Sequence, residues 1–491
     1  MSGGLLEGMV FVEVADPLTE YGGLILAGLG AEVVLIEPPG GANTRSRGPF
    51  FQAGDPSRRS IPFIARNLGK RSIVVDPASE EDAGRLGELL GCATGVLTTD
   101  RAALHDLVKD AMIPVVTITD PRNVGGVALI AFAQSAGLSS SGWPHQPPTN
   151  APSYFAQDAA GIYASVMLLV AARQWAADGG RTRYEIRTDE AAVAAATPWT
   201  RPLCSYDRST AGQGAHPARL GAGPHPVIRS ADGFVRLLTG TPQQWEAWLE
   251  LLGRPDALCT EEWQEPAFRN ANVEVMTAIA GEIAATKTTA ELFHGGQRLG
   301  LTITPVHSLR DVLADRHVAA RQVFATLDDP DAGTIRVPRP AYRRDGGEFA
   351  GWRAAPSLDD AKDDVAGMAS RARRPDPGGR PAEVKAGGGA PLAGIRVLDL
   401  GVGAVVPEAA SLMALLGADV IKVESRKNLD FLRRTGLAGV NDYNNSVTFN
   451  QLNLGVKSIT VDMSTDDGRE VTKRLVATCD ILMENLRGDV A

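Results

Sequence analysis

Asp158 stands directly before a long apolar segment, and this position gives its carboxylate a possible chemical role. The segment, residues 159–177, reads AAGIYASVMLLVAARQWAA and predicts a buried helix rich in alanine. The free N–H groups and the dipole at the start of a helix favour a negative charge, and an ionised aspartate can act as the nucleophile in covalent catalysis. The position suits a helix cap without chemistry equally well. Gly161 leaves room for a ligand close to the backbone.

A second group of candidates is mostly basic and lies near the predicted ends of strands. Its members are Arg45, Arg47, Asn67, Lys70, Arg71 and Arg101. Sheets of the α/β class bind ligands at the rim formed by strand ends, and arginine there can hold a phosphate with two parallel hydrogen bonds. Each of these residues, taken alone, can equally be a solvated surface charge.

The elements that position these residues occur twice. Residues 6–37 (LEGMVFVEVADPLTEYGGLILAGLGAEVVLIE) return as residues 392–424 (LAGIRVLDLGVGAVVPEAASLMALLGADVIKVE), and residues 67–76 return in register as residues 453–462. A register kept over such a length indicates an internal duplication. The second copy corresponds only to the first part of the first copy, so we expect one whole unit followed by part of another.

Strand and helix signals alternate through the first copy. Short runs rich in Val, Ile and Leu predict strands at residues 9–14, 32–37, 72–76, 95–97 and 113–118, with helices at 22–29 and 80–90 between them. This alternation predicts an α/β fold with a doubly wound parallel sheet. Beyond residue 200 the chain becomes rich in Gly and Pro and then predicts a smaller α+β domain.

Changes in composition along the chain predict its domain boundaries. We expect a large α/β domain (1–200), a crossing linker (201–225), a small α+β domain (226–330), a segment returning to the large domain (331–370), a flexible linker (371–391) and an incomplete second copy of the large domain (392–491).

Bulk properties argue against several classes of protein. The chain has 491 residues, 22% of them charged, and a net charge of −9, which does not favour binding to nucleic acid or a membrane surface. No apolar run reaches the roughly 18–20 residues that a spanning helix needs, and residues 1–4 do not open a secretory signal. The 4 cysteines and 7 histidines show neither a disulfide framework nor ligand spacing for a metal. We expect a cytoplasmic protein without a metal site.

Several passages together resemble the family III CoA-transferases (CaiB/BaiF family), the group of formyl-CoA and carnitine CoA-transferases. They are the openings of both copies, residues 67–76 (NLGKRSIVVD), 158–164 (DAAGIYA) and 480–487 (DILMENLR), and residues 232–235, 304–306 and 338–340. The likeness extends over nearly the whole chain outside the linker.

This resemblance implies a fold, a reaction and partners. The fold is a large and a small domain in interlocked subunits, so we expect a homodimer, or a pseudo-dimer with the second copy. The reaction moves CoA from an acyl-CoA to a carboxylic acid through an aspartyl-CoA thioester, with Asp158 as nucleophile and no separate cofactor. The six residues of the mostly basic group, together with Gly161, become candidates for binding CoA.

Particular residues help to decide between alternative functions. A non-catalytic CoA-binding or scaffolding half of a tandem enzyme remains open, because residues 18–20 (LTE) replace the usual A-G-P turn and residues 98–99 (TT) replace an E-N pair. A structural role through dimerisation alone also remains open. An acyl-CoA racemase is less favoured, because the histidine motif expected before Gly137 is missing. A dehydrogenase is disfavoured, because no G-x-G-x-x-G follows the first strand, although Glu37 ends the second.

Overall fold

A computed structural model gives the architecture of the chain. It describes residues 4–486 apart from the following segments: 52–58, 121–127, 136, 139–140, 143–145, 152–153, 197–225, 240, 266–267, 270–271, 331, 344–350, 375–388, 428, 435–442 and 445. The predicted crossing linker therefore lies outside the described residues, as does most of the linker 371–391. Two compact units are present, one formed by residues 1–138, 150–211 and 324–491 and the other by residues 139–149 and 212–323.

The strands of the described residues are short and mostly apolar. They are β1 (Val10–Val14), β2 (Glu32–Glu37), β3 (Arg71–Val74), β4 (Gly95–Thr99), β5 (Val115–Thr119), β6 (Arg183–Arg187), β7 (Val227–Arg229), β8 (Phe234–Leu237), β9 (Ile303–Pro305), β10 (Phe324–Asp329), β11 (Gly333–Pro338), β12 (Arg396–Asp399), β13 (Asp419–Glu424), β14 (Lys457–Thr460) and β15 (Ile481–Met483).

The α-helices alternate with these strands through much of the chain. They are α1 (Glu20–Gly28), α2 (Ile61–Asn67), α3 (Glu80–Cys92), α4 (His105–Val108), α5 (Ala128–Gln134), α6 (Phe155–Asp178), α7 (Thr188–Ala196), α8 (Pro242–Leu251), α9 (Val273–Ala284), α10 (Thr289–Arg298), α11 (Leu309–Ala314), α12 (Arg316–Ala320), α13 (Val365–Arg371), α14 (Val405–Leu415), α15 (Val447–Leu452) and α16 (Asp466–Val476).

The first unit is built on a six-stranded sheet in the order β3-β2-β1-β4-β5-β6, and every pairing in it is parallel. The inner strands β1, β2 and β4 are buried on both faces, as parallel strands covered by crossover helices must be. Val10, Val12 and Val14 of β1 join a core with residues of α3, whereas Phe11 joins a core with residues of α1 and α6. The predicted doubly wound α/β fold is confirmed.

The strand order reverses direction between β1 and β4, and this is where a doubly wound sheet opens a crevice for ligands at the carboxyl ends of its strands. The same unit contains an antiparallel hairpin of β10 and β11 and a second parallel sheet in the order β14-β13-β12-β15. The order of this second sheet repeats that of β3-β2-β1-β4 in the first.

The second unit contains a three-stranded antiparallel sheet in the order β7-β8-β9. Its core is centred on Trp245 and Trp248 of α8, both 0% exposed, and includes residues of α9 and α10. Capping boxes start α8 at Thr241 and α10 at Thr288, so local sequence sets where these helices begin.

Helix α6 is the central helix of the first unit. Its 24 residues are long and apolar enough, by length and composition, to cross a bilayer, and 61% of its most apolar window is buried inside the protein. Ala160, Ala164 and Leu168 are 0% exposed and belong to the core between α1, α6 and the sheet. We interpret α6 as a core helix.

Two glycines allow α1 and α6 to approach each other closely. A Cβ atom on Gly161 would lie 2.9 Å from the main-chain nitrogen of Gly22, and a Cβ on Gly22 would lie 2.9 Å from the main-chain oxygen of Gly161. Both neighbours are backbone atoms, which cannot move aside as a flexible side chain can. The space left by Gly161, expected from the sequence to admit a ligand, is occupied by α1.

We predict that Gly161→Ala destabilises the protein by about 1–3 kcal/mol, because the overpacked helices must move apart. Gly84→Ala on α3 is the matched control, since nothing lies within 4 Å of a Cβ there, and it should stabilise by up to about 1 kcal/mol through helix propensity. Urea unfolding of the two variants measures both effects. Equal stability of the two variants would contradict this packing.

Candidate functional site

Asp158 lies in the first turn of α6, which begins at Phe155 rather than after Asp158. The N-cap position belongs to Tyr154, whose backbone has a left-handed φ of 73° and whose side chain makes no capping hydrogen bond. The main-chain N–H of Asp158 donates to the oxygen of Tyr154 over 2.8 Å. Asp158 is therefore not the helix cap that the sequence also allowed, and its carboxylate is available for other contacts.

The carboxylate of Asp158 is paired with Arg66, the last-turn residue of α2. The Arg66 Nη2 atom donates to Asp158 Oδ1 over 2.6 Å, and the two side chains are 11% and 31% exposed. Sequence reasoning missed Arg66 because 92 positions separate it from Asp158 and no local spacing joins them. Its one sequence signal is that it precedes Asn67 in a basic segment.

Two aromatic rings hold the guanidinium of Arg66 in place. The Cζ atom lies 4.2 Å from the ring centroid of Tyr154 and 5.7 Å from that of Tyr21. A cation over an aromatic face is attracted by the ring quadrupole. The left-handed backbone of Tyr154 is uncommon for a residue other than glycine, and it places this ring beside the arginine that pairs with Asp158.

Burial and Arg66 act in opposite directions on Asp158. Burial raises the pKa of the Asp158 carboxyl above its usual value, while the charge and hydrogen bond of Arg66 lower it, and burial is the larger effect. A carboxylate with a raised pKa is a stronger base and a better nucleophile, provided that it stays ionised at the working pH.

Lys70 lies inside the protein rather than on the rim predicted for phosphate binding. Its Nζ atom is 2.7 Å from Glu13 Oε2 in an ion pair with both side chains buried, and it donates to the main-chain oxygen of Glu20 and to Asn67 Oδ1, each over 2.8 Å. Burial lowers the pKa of Lys70 and raises that of Glu13. Gly23 makes this pair possible, because a Cβ there would overlap the Glu13 carboxylate.

Asn67 also faces inward. It is 0% exposed, and its Nδ2 atom donates to the Phe63 oxygen over 3.0 Å while its Oδ1 accepts from Lys70. Asn67 and Lys70 thus form a buried network behind α2, and their contacts are within the protein.

Arg45 and Arg71 are engaged in ion pairs with the protein's own carboxylates. Arg45 pairs with buried Glu37 over 2.6 Å. Because Arg45 holds this carboxylate, Glu37 is not free to bind the ribose of a nicotinamide cofactor. Arg71 is 3.3 Å from Asp364 and 3.5 Å from Glu32. Each pair ties a loop or helix to the edge of the sheet.

Arg101 is the arginine placed nearest the crevice of the sheet. It follows β4 and pairs with Asp16, which follows β1, over 2.7 Å, so the pair spans the point where the strand order reverses. Arg47 is exposed, and it follows the short 3-10 helix Asn43–Ser46. Among the described residues, no group of three or more His, Cys, Asp or Glu is arranged to hold a metal ion.

Comparisons with known proteins show which family the chain resembles. The model of the family described as CoA-transferase family III matches residues 7–108, 120–362 and 392–491. A probable CoA-transferase of Mycobacterium tuberculosis is 30% identical over 493 residues, which cover 94% of this chain and 58% of that protein. The chain thus spans little more than half the length of this relative.

Other known proteins match a smaller share of the chain. The succinyl-CoA:(R)-benzylsuccinate CoA-transferase subunit BbsE of Thauera aromatica is 27% identical, over 67% of this chain and 86% of that protein. A CAIB/BAIF family protein from Brucella suis has a solved structure with a TM-score of 0.63 and 21% identity, covering 75% of this chain and 100% of that one. The structural likeness supports the fold.

We predict that Lys70→Met lowers the free energy of unfolding by about 3–5 kcal/mol, because Glu13 is left buried without its partner. The double variant Glu13→Gln/Lys70→Met should lose less than the sum of its single changes. Arg47→Ala is the exposed control and should change stability by less than about 0.5 kcal/mol. Denaturant unfolding at pH 7 tests all of these variants, and a Lys70→Met protein as stable as Arg47→Ala would contradict a buried structural role.

Proposed function

The chain belongs to CoA-transferase family III, and we propose that it moves coenzyme A from an acyl-CoA donor to a carboxylic acid through a thioester on Asp158. The observation that carries the proposal is the partly exposed carboxylate of Asp158 in the first turn of a buried helix, held by Arg66 over 2.6 Å. Named relatives that transfer CoA between acids support the reaction class.

The proposed steps conserve atoms and charge. An oxygen of Asp158 attacks the thioester carbonyl, the C–S bond breaks, and CoA leaves as a thiolate while a mixed anhydride forms. The thiolate then attacks the aspartyl carbonyl of the anhydride, and the donor acid leaves as a carboxylate. The acceptor carboxylate runs the two steps in reverse, so the CoA thioester is a substrate and no separate cofactor takes part.

We assign two tasks to the surroundings of Asp158. Arg66 and the positive end of the α6 dipole keep the attacking carboxylate ionised although it is partly buried. The same charges stabilise the negative charge that develops on oxygen as Asp158 attacks the carbonyl of the acyl-CoA donor. Tyr154 and Tyr21 limit the movement of the Arg66 guanidinium, whose position fixes the carboxylate.

For the coenzyme we propose direct contacts to Arg47 and Arg101 and an indirect role for the other candidates. Arg47 is exposed, and Arg101 lies at the crevice where its pairing with Asp16 can be exchanged for a phosphate. Because Arg45, Asn67, Lys70 and Arg71 are bonded within the protein, we assign them the task of shaping that rim.

We also propose that residues 392–491 are a second copy of the first part of the large domain. Two arrangements support it: Glu424 pairs with Arg433 over 2.6 Å as Glu37 does with Arg45, and Arg433 stacks on Phe449 as Arg45 does on Phe63. We propose an interlocked homodimer, or a pseudo-dimer with this copy. Cys92, Cys259 and Cys479 are free thiols, which supports a cytoplasmic location.

Hydroxylamine trapping tests the nucleophile. After incubation with an acyl-CoA, we expect mass spectrometry to find a hydroxamate on Asp158, and Asp158→Asn should lose both the adduct and CoA exchange. Asp178→Asn, at the other end of α6, is the matched control and should keep both. Turnover without any modification of Asp158 would overturn the covalent mechanism, and tight CoA binding without turnover would favour a non-catalytic half.

The pH dependence of the first half-reaction tests Arg66. The rate of thioester attack should fall as the pH drops through the pKa of Asp158, since only the ionised form attacks. Because Arg66 lowers that pKa, Arg66→Gln should move the acidic limb to higher pH and reduce the rate at pH 7 about a hundredfold. Arg66→Lys keeps the positive charge, so the acidic limb of its pH profile should lie close to that of the unmodified protein. Single-turnover kinetics measures these profiles, and an unmoved limb in Arg66→Gln would exclude this role.

For coenzyme binding, Arg47→Ala should raise KM for acyl-CoA about tenfold, as expected when one charge-assisted phosphate contact is lost. The expected change in kcat is small, because Arg47 does not contact the carboxylate. Arg236→Ala, in β8 of the second unit, is the control. Steady-state kinetics in which both variants keep the same KM would argue against this contact.

A further inference from the structure

Two buried polar atoms, one on Arg66 and one on the nearby Glu20, lack hydrogen-bond partners among the described residues. One is Nη1 of Arg66, the guanidinium nitrogen not used by Asp158, and the other is Oε2 of Glu20. Arg66 is 9% exposed and Glu20 is 0% exposed. Buried polar atoms left without a hydrogen-bond partner are destabilising, so an arrangement that joins Arg66 to Glu20 is favoured once another constraint is removed.

Several charged and polar groups contact Glu20 or act on its charge. Thr44 donates to its Oε1 atom, and Lys70 donates to its main-chain oxygen. Lys70, Glu13 and Arg66 all act on its charge, and Arg66 is close enough to lower its pKa. Burial is nevertheless the largest effect and raises the pKa of Glu20 to about 7.

The charges in this cluster balance when Glu20 is protonated. Glu13 offsets Lys70 over 2.7 Å, and Asp158 offsets Arg66 over 2.6 Å. If Glu20 were ionised, its negative charge would be the fifth charge in the cluster, and no cation would be left to pair with it. The protonated form of Glu20 is therefore the one that suits the resting protein.

Acylation of Asp158 removes this balance. A thioester or anhydride carries no negative charge on the aspartyl group, so Arg66 loses its counter-ion while it stays largely buried. A buried cation without a counter-ion is strongly destabilising. Glu20 is the carboxyl group of the cluster that has an oxygen free to receive the guanidinium.

We propose that Arg66 transfers its ion pair from Asp158 to Glu20 when Asp158 becomes acylated, and returns when the aspartate is freed. Glu20 is then a positioning residue of the covalent state. This inference rests on the proposed function, because it needs Asp158 to lose its charge during the cycle. The proton of Glu20 passes to solvent as the pair forms and is taken up again when Asp158 regains its negative charge.

This exchange serves the second half of the reaction. The aspartyl carbonyl must be attacked while its charge is absent, and a guanidinium drawn towards Glu20 leaves room on that side for the acceptor carboxylate. When the thioester is consumed, the negative charge on Asp158 draws Arg66 back, and Glu20 becomes protonated again.

Asp158→Asn imitates the uncharged aspartyl group and tests the exchange without any turnover. In a crystal structure of this variant at pH 7, we expect Nη1 of Arg66 within hydrogen-bond distance of Oε2 of Glu20. Carbon-13 NMR of labelled glutamate should show the pKa of Glu20 lowered relative to the unmodified protein, with the signal assigned by its loss in Glu20→Gln. An unmoved Arg66 together with an unchanged pKa of Glu20 would overturn the proposal.

A double-mutant cycle gives an independent measure. Glu20→Gln should lower Tm by about 2–4 °C more in the Asp158→Asn background than in the unmodified protein, because a new ion pair is lost only there. Glu81→Gln removes a surface ion pair with Arg85 and is the control. Its effect on Tm should be the same in the unmodified protein and in the Asp158→Asn background. Additive effects of Glu20→Gln and Asp158→Asn would also contradict the exchange.

The outcomes separate this inference from the proposed function. A hydroxamate on Asp158 together with an unmoved Arg66 in Asp158→Asn would preserve covalent CoA transfer and refute the exchange. Movement of Arg66 without any hydroxamate in the unmodified protein would refute the covalent mechanism, and with it the catalytic role of the exchange. If Glu20→Gln fails to fold, the structure of Asp158→Asn still decides the question.

Discussion

The close contact of α1 with α6 is the constraint on which the candidate site depends. Gly22 and Gly161 meet backbone to backbone, and this contact fixes the first turn of α6 relative to the start of α1. Glu20 and Tyr21 lie just before the contact on one helix, and Asp158 lies just before it on the other. A side chain at either glycine would separate the helices and move the carboxylates apart. The packing of two helices therefore determines the geometry of a charge cluster.

That cluster brings together three carboxyl groups and two cations in a volume from which most water is excluded. Such an arrangement is stable only if the charges nearly cancel, which makes the protonation of any one member depend on the others. The raised pKa of Glu20 follows from this requirement, since Glu13 and Asp158 already match Lys70 and Arg66. A reaction that changes the charge of Asp158 must then change the state of a neighbour. The same low dielectric that makes the nucleophile reactive also couples it to Glu20.

Much of the fold was predictable from the sequence, whereas the site was predictable only in part. Apolar runs gave β2 at residues 32–37 and placed β1, β3, β4 and β5 within a few residues, because parallel strands buried on both faces are continuously apolar. The edge strand β6 was not predicted, because its sequence RYEIR is charged and largely solvent-accessible. The position of Asp158 near the start of α6 was also predictable, although the helix begins earlier, at Phe155. The burial of Lys70 and Asn67 could not be predicted. A basic segment before a strand has the same sequence pattern whether its side chains face solvent or a buried glutamate. Arg66 was missed because its partner is distant in the sequence.

The two parallel sheets help to separate residues that maintain the fold from those near the chemistry. Both sheets keep a glutamate at the end of the second strand, paired with an arginine that stacks on a phenylalanine: Glu37 and Glu424 are the glutamates. In the second sheet, Val456 stands where Lys70 stands in the first, and the buried lysine is instead Lys422, 3.4 Å from both Asp399 and Asp430. A feature present in both sheets is explained by the folding of a β-α-β unit with a loop after its second strand. Among the described residues, the cluster of Glu13, Glu20, Lys70 and Arg66 belongs to the sheet that carries Asp158 and has no counterpart in the other. Its arrangement is therefore better explained by the needs of that carboxylate than by the fold alone.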